Sequence, residues 1–323
     1  MISRRNTLKI GFGLAAFGAG DANAAETAPT VKTPVDFAVP PGAVDCHVHV
    51  IPDPAQFPFW AGRGYTPPVA TATELLALQH ALHMDHVVIV TPSVYGTDNR
   101  ATLDAIRQLG QTRAHGIAVI EENATPADLD ALHQAGIRGI RLNLEQAGVF
   151  DPTVASRKLD VAAKLLQGRP WHLEMYARTS VIAALSERFA SLPVPVVFDH
   201  FAGARAALGP DQPGFAAVLA LVKSGKAYVT ISGAYRASDR APDYPDVAPL
   251  AKALIATNPE RLIWGSDWPH PDSSSVPGRK PTDVAPAQPI DDGRVLNLVA
   301  EWAPSAEVRT LILVDNPKRL YDF

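Results

Sequence analysis

His47 and His49 stand two residues apart in the apolar run Val44-Asp45-Cys46-His47-Val48-His49-Val50. Strand side chains alternate between faces, so this spacing places both imidazoles on one face with Asp45. Cys46, Val48 and Val50 then take the other face. Two adjacent imidazoles at the end of a buried strand suit a metal ion or the polarisation of a carbonyl. Two packed core histidines would show the same spacing, so the decision rests on what else the chain brings to them.

Polar residues recur at the ends of later apolar runs. They are Ser93 and Tyr95 after Thr91-Pro92, Arg141 and Asn143, Glu174 and Tyr176, Asp199-His200, Ser232-Gly233 with Tyr235-Arg236, and Ser266-Asp267 with His270 after Trp268-Pro269. Charged groups at the ends of buried strands cost free energy unless paired, so they are not there for stability. Glu174 is placed to ion-pair with Arg141, and Asp199 to orient a neighbour or cap a helix. His172, early in its strand, reads as packing. His80, His83, His86, His115 and His133 fall on helices or strand starts, away from this set.

Strand-like runs at 44–50, 86–93, 114–120, 137–143, 171–177, 194–200, 227–233 and 261–267 must carry these residues. Helix-like runs at 73–83, 99–110, 126–135, 154–167, 179–190, 214–224, 246–257 and 293–302 separate them. Asp98-Asn99, Thr125-Pro126 and Thr73 give helix starts, and Gly110, Gly136 and Gly225 give stops. Eight strand–helix alternations predict an α/β protein, a (β/α)8 TIM-like barrel, in which strand C-termini converge on one mouth. An open doubly wound sheet would carry a glycine-rich phosphate turn after its first strand, and this chain has His-x-His there. The long connections 51–72 and 268–292 follow strands 1 and 8, leave the mouth side, and read as lid-like loops.

The chain has 323 residues, 47% hydrophobic and 19% charged, enough apolar material for one large barrel core. A net charge of −4 gives no support for a nucleic-acid partner. The single cysteine, Cys46, excludes an intrachain disulfide and reads as a packing residue. Ser3-Arg4-Arg5-Asn6-Thr7-Leu8-Lys9, a short apolar run and Ala22-Asn23-Ala24 together resemble a twin-arginine export signal. Residues 1–24 are therefore expected to be a cleaved signal, 25–42 a leader and 43–323 the barrel domain. The expected location is periplasmic or secreted, reached by the twin-arginine machinery, without a stable membrane anchor.

Taken in order, Asp45-Cys46-His47-Val48-His49, Tyr65-Thr66-Pro67-Pro68, Thr91-Pro92-Ser93, Gly139-Ile140-Arg141, Asp199-His200, Gly265-Ser266-Asp267-Trp268-Pro269-His270 and Asn316-Pro317 resemble the amidohydrolase superfamily. The branch is the lactonase-like amidohydrolase-2 family, with most similarity to pyrone-dicarboxylate lactonases and galactarolactone isomerases. The resemblance runs from about residue 40 to the C-terminus. It implies hydrolysis of a small anionic lactone, with Asp267 as general base and His47, His49 and His200 polarising the carbonyl. Arg141 and Arg236 would clamp substrate carboxylates, and Tyr65, Ser93 and Tyr176 would orient the substrate. Isomerisation of a lactone, metal-dependent decarboxylation, and plain binding of organic acids are the alternatives.

Metal-dependent members of the superfamily carry a histidine at the end of strand 5 and a carboxylated lysine or glutamate at the end of strand 4. Here those ends are Tyr176 and Asn143. The resemblance thus implies chemistry without a required cofactor, a single zinc or manganese ion on His47, His49 and Asp267 being the other reading. Arg205 stands further from His200 than the arginine of dicarboxylate lactonases does.

Overall fold

The structure, a computed structural model, describes residues 31–323. The expected signal, 1–24, and the first part of the leader lie outside the described residues. Eight parallel strands follow in sequence order: β1 (Val44–Val48), β2 (His86–Val90), β3 (Ala114–Ala118), β4 (Ile137–Asn143), β5 (His172–Tyr176), β6 (Val196–Phe198), β7 (Ala227–Thr230) and β8 (Leu262–Ile263). The sheet closes where Cys46 N–H donates to Trp264 O at 2.9 Å, His49 N–H to Trp268 O at 2.8 Å and Asp267 N–H to His47 O at 2.8 Å. The barrel expectation holds, and the closing bonds set Asp267 beside His47.

Helices α1 (Ala72–Ala81), α2 (Arg100–Leu109), α3 (Pro126–Gln134) and α4 (Pro152–Leu166) follow the first four strands. The first is capped two residues before the expected Thr73: Thr71 and Glu74 form a reciprocal capping box, which satisfies two free N–H groups at once. Thr125 and Asp128 do the same for α3, with Pro126 supplying a preset φ. Asn99 makes no cap bond. Its amide instead bonds Val119 N, Val119 O and the Thr91 hydroxyl, tying the ends of β2 and β3 together.

The run 179–190 breaks at Leu185 into α5 (Thr179–Ala184) and α6 (Ser186–Ala190). Helices α7 (Phe215–Lys223), a short α8 (Ala234–Ala237), α9 (Ala248–Thr257) and α10 (Asp292–Trp302) continue the alternation. The chain ends in α11 (Ala306–Thr310), a π-turn and α12 (Asn316–Tyr321), which the periodicity did not announce.

Two apolar layers result. Val48, Ile89, Ile140, Met175, Phe198 and Val229 pack outward with Leu75, Ile106, Leu159, Val218 and Leu254 of the helices. Val44, Cys46, Val88, Val90, Ile117, Val197, Tyr228 and Ile263 meet one another and Tyr321. Side chains from six strands can touch only on the barrel axis, so this second cluster is the floor of the interior, sealed by α12.

The floor corrects the expected faces of β1. Cys46 lies inside with Val44, whereas Val48 and Val50 face the helices. Asp45 also faces outward, accepting bonds from Gln79 of α1 and Ser266 N. The pairing of β1 with β2 slips by one residue between Asp45 and Val48, from Asp45↔Val87 to Val48↔Ile89. One extra residue there lets Cys46 and His47 both reach the interior, the usual effect of a bulge in re-aiming a side chain.

The two long loops are stitched together. Ala285 N–H donates to Thr66 O at 2.7 Å, and the Thr66 hydroxyl donates to Pro281 O at 2.7 Å. Residues 31–42 form no helix or strand, but Lys32 and Thr33 N–H groups donate to Asp291 just before α10. Among the described residues, no helix is long and apolar enough to cross a membrane.

Candidate active site

Asp267 is fully buried and its two oxygens differ. Oδ2 accepts from Tyr235 Oη at 2.6 Å and Arg236 Nε at 2.5 Å. Oδ1 has no hydrogen-bond partner and faces His47 Nε2 and His49 Nε2, each at 3.8 Å. Burial pushes this carboxyl towards protonation. The Arg236 guanidinium beside it outweighs this and holds the group well below the usual carboxylate range. One oxygen is therefore anchored and the other open, on a group ionised at neutral pH.

Backbone geometry creates this placement. A Cβ at Gly265 would come within 2.7 Å of His47 Cβ and 2.8 Å of His47 N, so only glycine lets β8 press against β1 here. Asp267 then adopts φ +65°, and His200, Phe201 and Ala202 adopt φ of +50 to +56°. Such non-glycine left-handed residues are strained and cluster where function constrains the chain.

The histidines differ in their hydrogen bonds. His49 Nδ1 lies 2.8 Å from Val90 O, an acceptor only, so Nδ1 carries the proton. Burial lowers the His49 pKa to about 4 and that of His200 to about 3, and drives His47 well below its usual value. Neutral His49 then turns a lone pair on Nε2 towards the open oxygen of Asp267. His200 Nδ1 meets Ser232 Oγ at 2.9 Å, which leaves its Nε2, 3.9 Å from Asp267 Oδ2, directed at the same centre. Neither ring nitrogen of His47 has a hydrogen-bond partner.

Behind His47 lies a second set of charges. Arg141 donates Nη2–H to Asp199 Oδ2 at 2.8 Å, and its Nε is 3.3 Å from Glu174 Oε1. His47 Nδ1 is 3.5 Å from Glu174 Oε1 and 3.7 Å from Asp199 Oδ1. Burial and the Asp199 charge raise Glu174 well above the carboxylate range. Burial likewise raises Asp199, against the pull of Arg141. The Glu174–Arg141 pairing read from the sequence is present, and Asp199 shares it.

Seven of the residues singled out, His49, Tyr65, Ser93, Arg141, Tyr176, His200 and Arg236, line one small cavity of about 20 Å³ at the mouth. His47 and Asp267 lie beneath it, both 0% exposed. His172 belongs to the floor, edge-on to Tyr321, and His115 stacks on Phe323. Three members of the site escaped the sequence reading. Tyr235 and His270 stand among the strand-end polar residues without a role of their own, and Asp292, at the end of the long loop 268–292, carries no sequence signal.

The donor set also fits a cation. His47, His49 and Asp267 each aim one ligand atom into a common space, all within 4.8 Å of one another, and His47, Asp199 and His200 form a second such group. The unpartnered Asp267 Oδ1 and His47 nitrogens suit coordination.

Comparison with known proteins agrees with this layout. The chain is 35% identical over 293 residues to a 4-sulfomuconolactone hydrolase of Hydrogenophaga intermedia, covering 89% of this chain and 91% of that protein. It is 33% identical over 294 residues to a 2-pyrone-4,6-dicarboxylate hydrolase of Comamonas testosteroni, covering 88% and 92%. An apo crystal structure from Agrobacterium tumefaciens superposes with a TM-score of 0.77 at 27% identity, over 91% of this chain and 98% of that one. The amidohydrolase family model matches residues 44–323, and the chain is a member of that family.

Proposed function

We propose that this protein is a hydrolase that opens a lactone bearing anionic groups. The observation that carries the proposal is the open oxygen of ionised Asp267, facing two neutral imidazoles beneath a cavity lined by Arg141 and Arg236. The similarity to two lactone hydrolases supports the substrate class.

Asp267 Oδ1 and His49 Nε2 are both acceptors 3.8 Å apart, so a water between them donates one hydrogen to each. Its oxygen lone pair is then free to attack the ring carbonyl, and Asp267 takes the proton. A protonated Glu174 beside His47 Nδ1, and the Ser232 hydroxyl on His200 Nδ1, leave Nε2–H donors on both rings for the developing oxyanion. Each such preorganised donor contributes about 3 kcal/mol in comparable sites. Collapse of the tetrahedral intermediate breaks the ring C–O bond, and the Asp267 proton passes to the leaving oxygen. The product is an open-chain acid, which releases a proton near neutral pH.

This reading moves His49 from carbonyl polarisation to water positioning, because its Nδ1 proton is committed to Val90 O. Arg141 spends Nη2 and Nε on Asp199, and Arg236 spends Nε on Asp267. Their remaining N–H groups would receive the substrate's anionic groups, with Tyr65, Ser93 and Tyr176 orienting the ring. A divalent ion held by His47, His49 and Asp267 would supply an acidified water in the same place.

The test is acid release from 4-sulfomuconolactone and 2-pyrone-4,6-dicarboxylate by chelator-treated protein of measured metal content. Acid release that persists supports the Asp267 mechanism, and activity that returns only with zinc or manganese assigns the ligand role. Conversion to an isomer without acid would mark a lactone isomerase, and carbon dioxide a decarboxylase. We also propose export by the twin-arginine route. Arg4→Lys with Arg5→Lys should then retain the protein inside the cell, and unchanged fractionation would overturn that assignment.

A further inference from the structure

A chain of polar groups, half-buried at Tyr235 and fully buried beyond it, runs away from the anchored oxygen of Asp267. Tyr235 Oη is 2.6 Å from Asp267 Oδ2, His270 Nδ1 is 3.4 Å from Tyr235 Oη, and His270 Nε2 is 3.0 Å from Asp292 Oδ1. His270 and Asp292 are both 0% exposed. The Tyr235 and His270 rings meet edge to face, with centroids 5.3 Å apart. His270 holds φ +59°, a strained conformation that aims its ring inward. Asp292 lies in the first turn of α10, where the helix dipole favours a carboxylate.

We infer that Tyr235, His270 and Asp292 are positioning residues that lock the Asp267 carboxylate with Oδ1 turned to the water site. Counting protons gives the direction of each bond. Asp267 is ionised and accepts, so the Tyr235 hydroxyl proton is committed to it. The phenol oxygen must then accept from His270 Nδ1–H. One proton lies between His270 Nε2 and Asp292 Oδ1, 3.0 Å apart, and that hydrogen bond keeps the ring turned with Nδ1 towards the tyrosine. The ring N–H facing the phenol oxygen polarises the tyrosine hydroxyl, which strengthens its bond to Asp267. Arg236 fixes the charge of Asp267, and the tyrosine chain, coming from a second direction, fixes the plane of the carboxylate. Misplacing a reacting group by even an ångström is costly in rate.

The inference rests on the lactonase reading for its kinetic arm only. Tyr235→Phe, Asp292→Asn and His270→Asn are compared with the double variant Tyr235→Phe/Asp292→Asn. Asparagine at 270 tolerates the left-handed backbone. On 4-sulfomuconolactone or 2-pyrone-4,6-dicarboxylate, each single variant should lose about tenfold in kcat with KM within about twofold, the size expected for one polar contact. The double variant should be no slower than Tyr235→Phe alone. Losses that multiply, or an Asp292→Asn that lowers Tm but leaves kcat intact, would overturn the chain as a positioning device.

A second arm needs no turnover. Nitrogen-15 spectra of histidine-labelled protein should show a solvent-protected ring N–H signal that is lost in His270→Asn and altered in Asp292→Asn. Absence of that signal in the native protein overturns the assignment. Its presence alongside no hydrolysis of either lactone would leave the chain standing and sink the lactonase reading instead.

Discussion

The barrel interior has two halves built by one alternation, and they obey opposite rules. Its floor joins Val44, Cys46, Val88, Val90, Ile117, Val197, Tyr228, Ile263 and Tyr321 in an apolar cluster. One inward step along the strands, Cys46 gives way to His47, Gly139 to Arg141, His172 to Glu174 and Val197 to Asp199. The floor gains stability from every apolar contact it makes. The mouth buries one arginine, three histidines and three carboxyls at desolvation cost, with Arg236 half-buried beside them, and they hold one another in place. A barrel concentrates its stability at one end and spends part of it at the other.

The sharpest way to probe that division is to change charge at the mouth without changing shape. Asp267→Asn keeps the outline and removes the proposed base, so turnover should fall by about 10²–10⁴-fold, and the thermal midpoint should fall too because Arg236 loses its carboxylate partner. Near-normal turnover would place the base elsewhere. Arg141→Met should act on stability as well as on substrate binding. Asp199 and Glu174 would lose the cation between them, and removing one partner from a buried pair costs about 3–5 kcal/mol. Urea unfolding reads this directly. A variant with a native midpoint would mean that the two carboxyls already share a proton and do not need the arginine.

How much of this division the chain's letters reveal depends on what sets each feature. The eight strands are legible because each is an apolar run bounded by turn residues, and the mouth because polar residues recur at the ends of those runs. Lengths are less legible: the run 261–267 contributes only Leu262–Ile263 to regular pairing, since Trp264 to Asp267 bond across to β1. The slip in β1 is invisible in composition. It arises because β8 must pass close to His47 at Gly265, a constraint between residues more than two hundred positions apart. Asp292 was hidden for a similar reason, its partner His270 being reached only through the folded loop 268–291.

The floor holds one polar group that tests the rule from the other side. His172 is buried, neither ring nitrogen has a partner, and burial lowers its pKa from 6.5 to about 3. The folded protein therefore binds fewer protons than the unfolded chain between those values. Stability from this residue is present above about pH 6.5 and is lost as pH falls towards 3. His172→Leu should remove that dependence, flattening the stability curve on the acid side by up to about 1.4 kcal/mol per pH unit. Near neutral pH it should cost little, because an unpartnered polar group is replaced by an apolar one. Urea midpoints at a series of pH values for both proteins give the comparison. Parallel curves would show that His172 finds a partner in solution.

The smallest effect falls at the boundary itself. Cys46 precedes His47 and shares the bulge that turns both inward, so sequence position alone would allow it a chemical role. Its surroundings do not. Burial, with Asp45 and Glu174 nearby, pushes the thiol well above its usual range, so it stays a thiol and a poor nucleophile. Its Sγ approaches only Val44 O, at 3.7 Å, and its other contacts are the apolar floor. Cys46→Ala should therefore cost about 1 kcal/mol in stability, as for a small loss of buried volume, and leave kcat unchanged. A large fall in kcat with normal stability would move the boundary between floor and mouth down by one residue. The bulge in β1 would then serve two reactive groups instead of one.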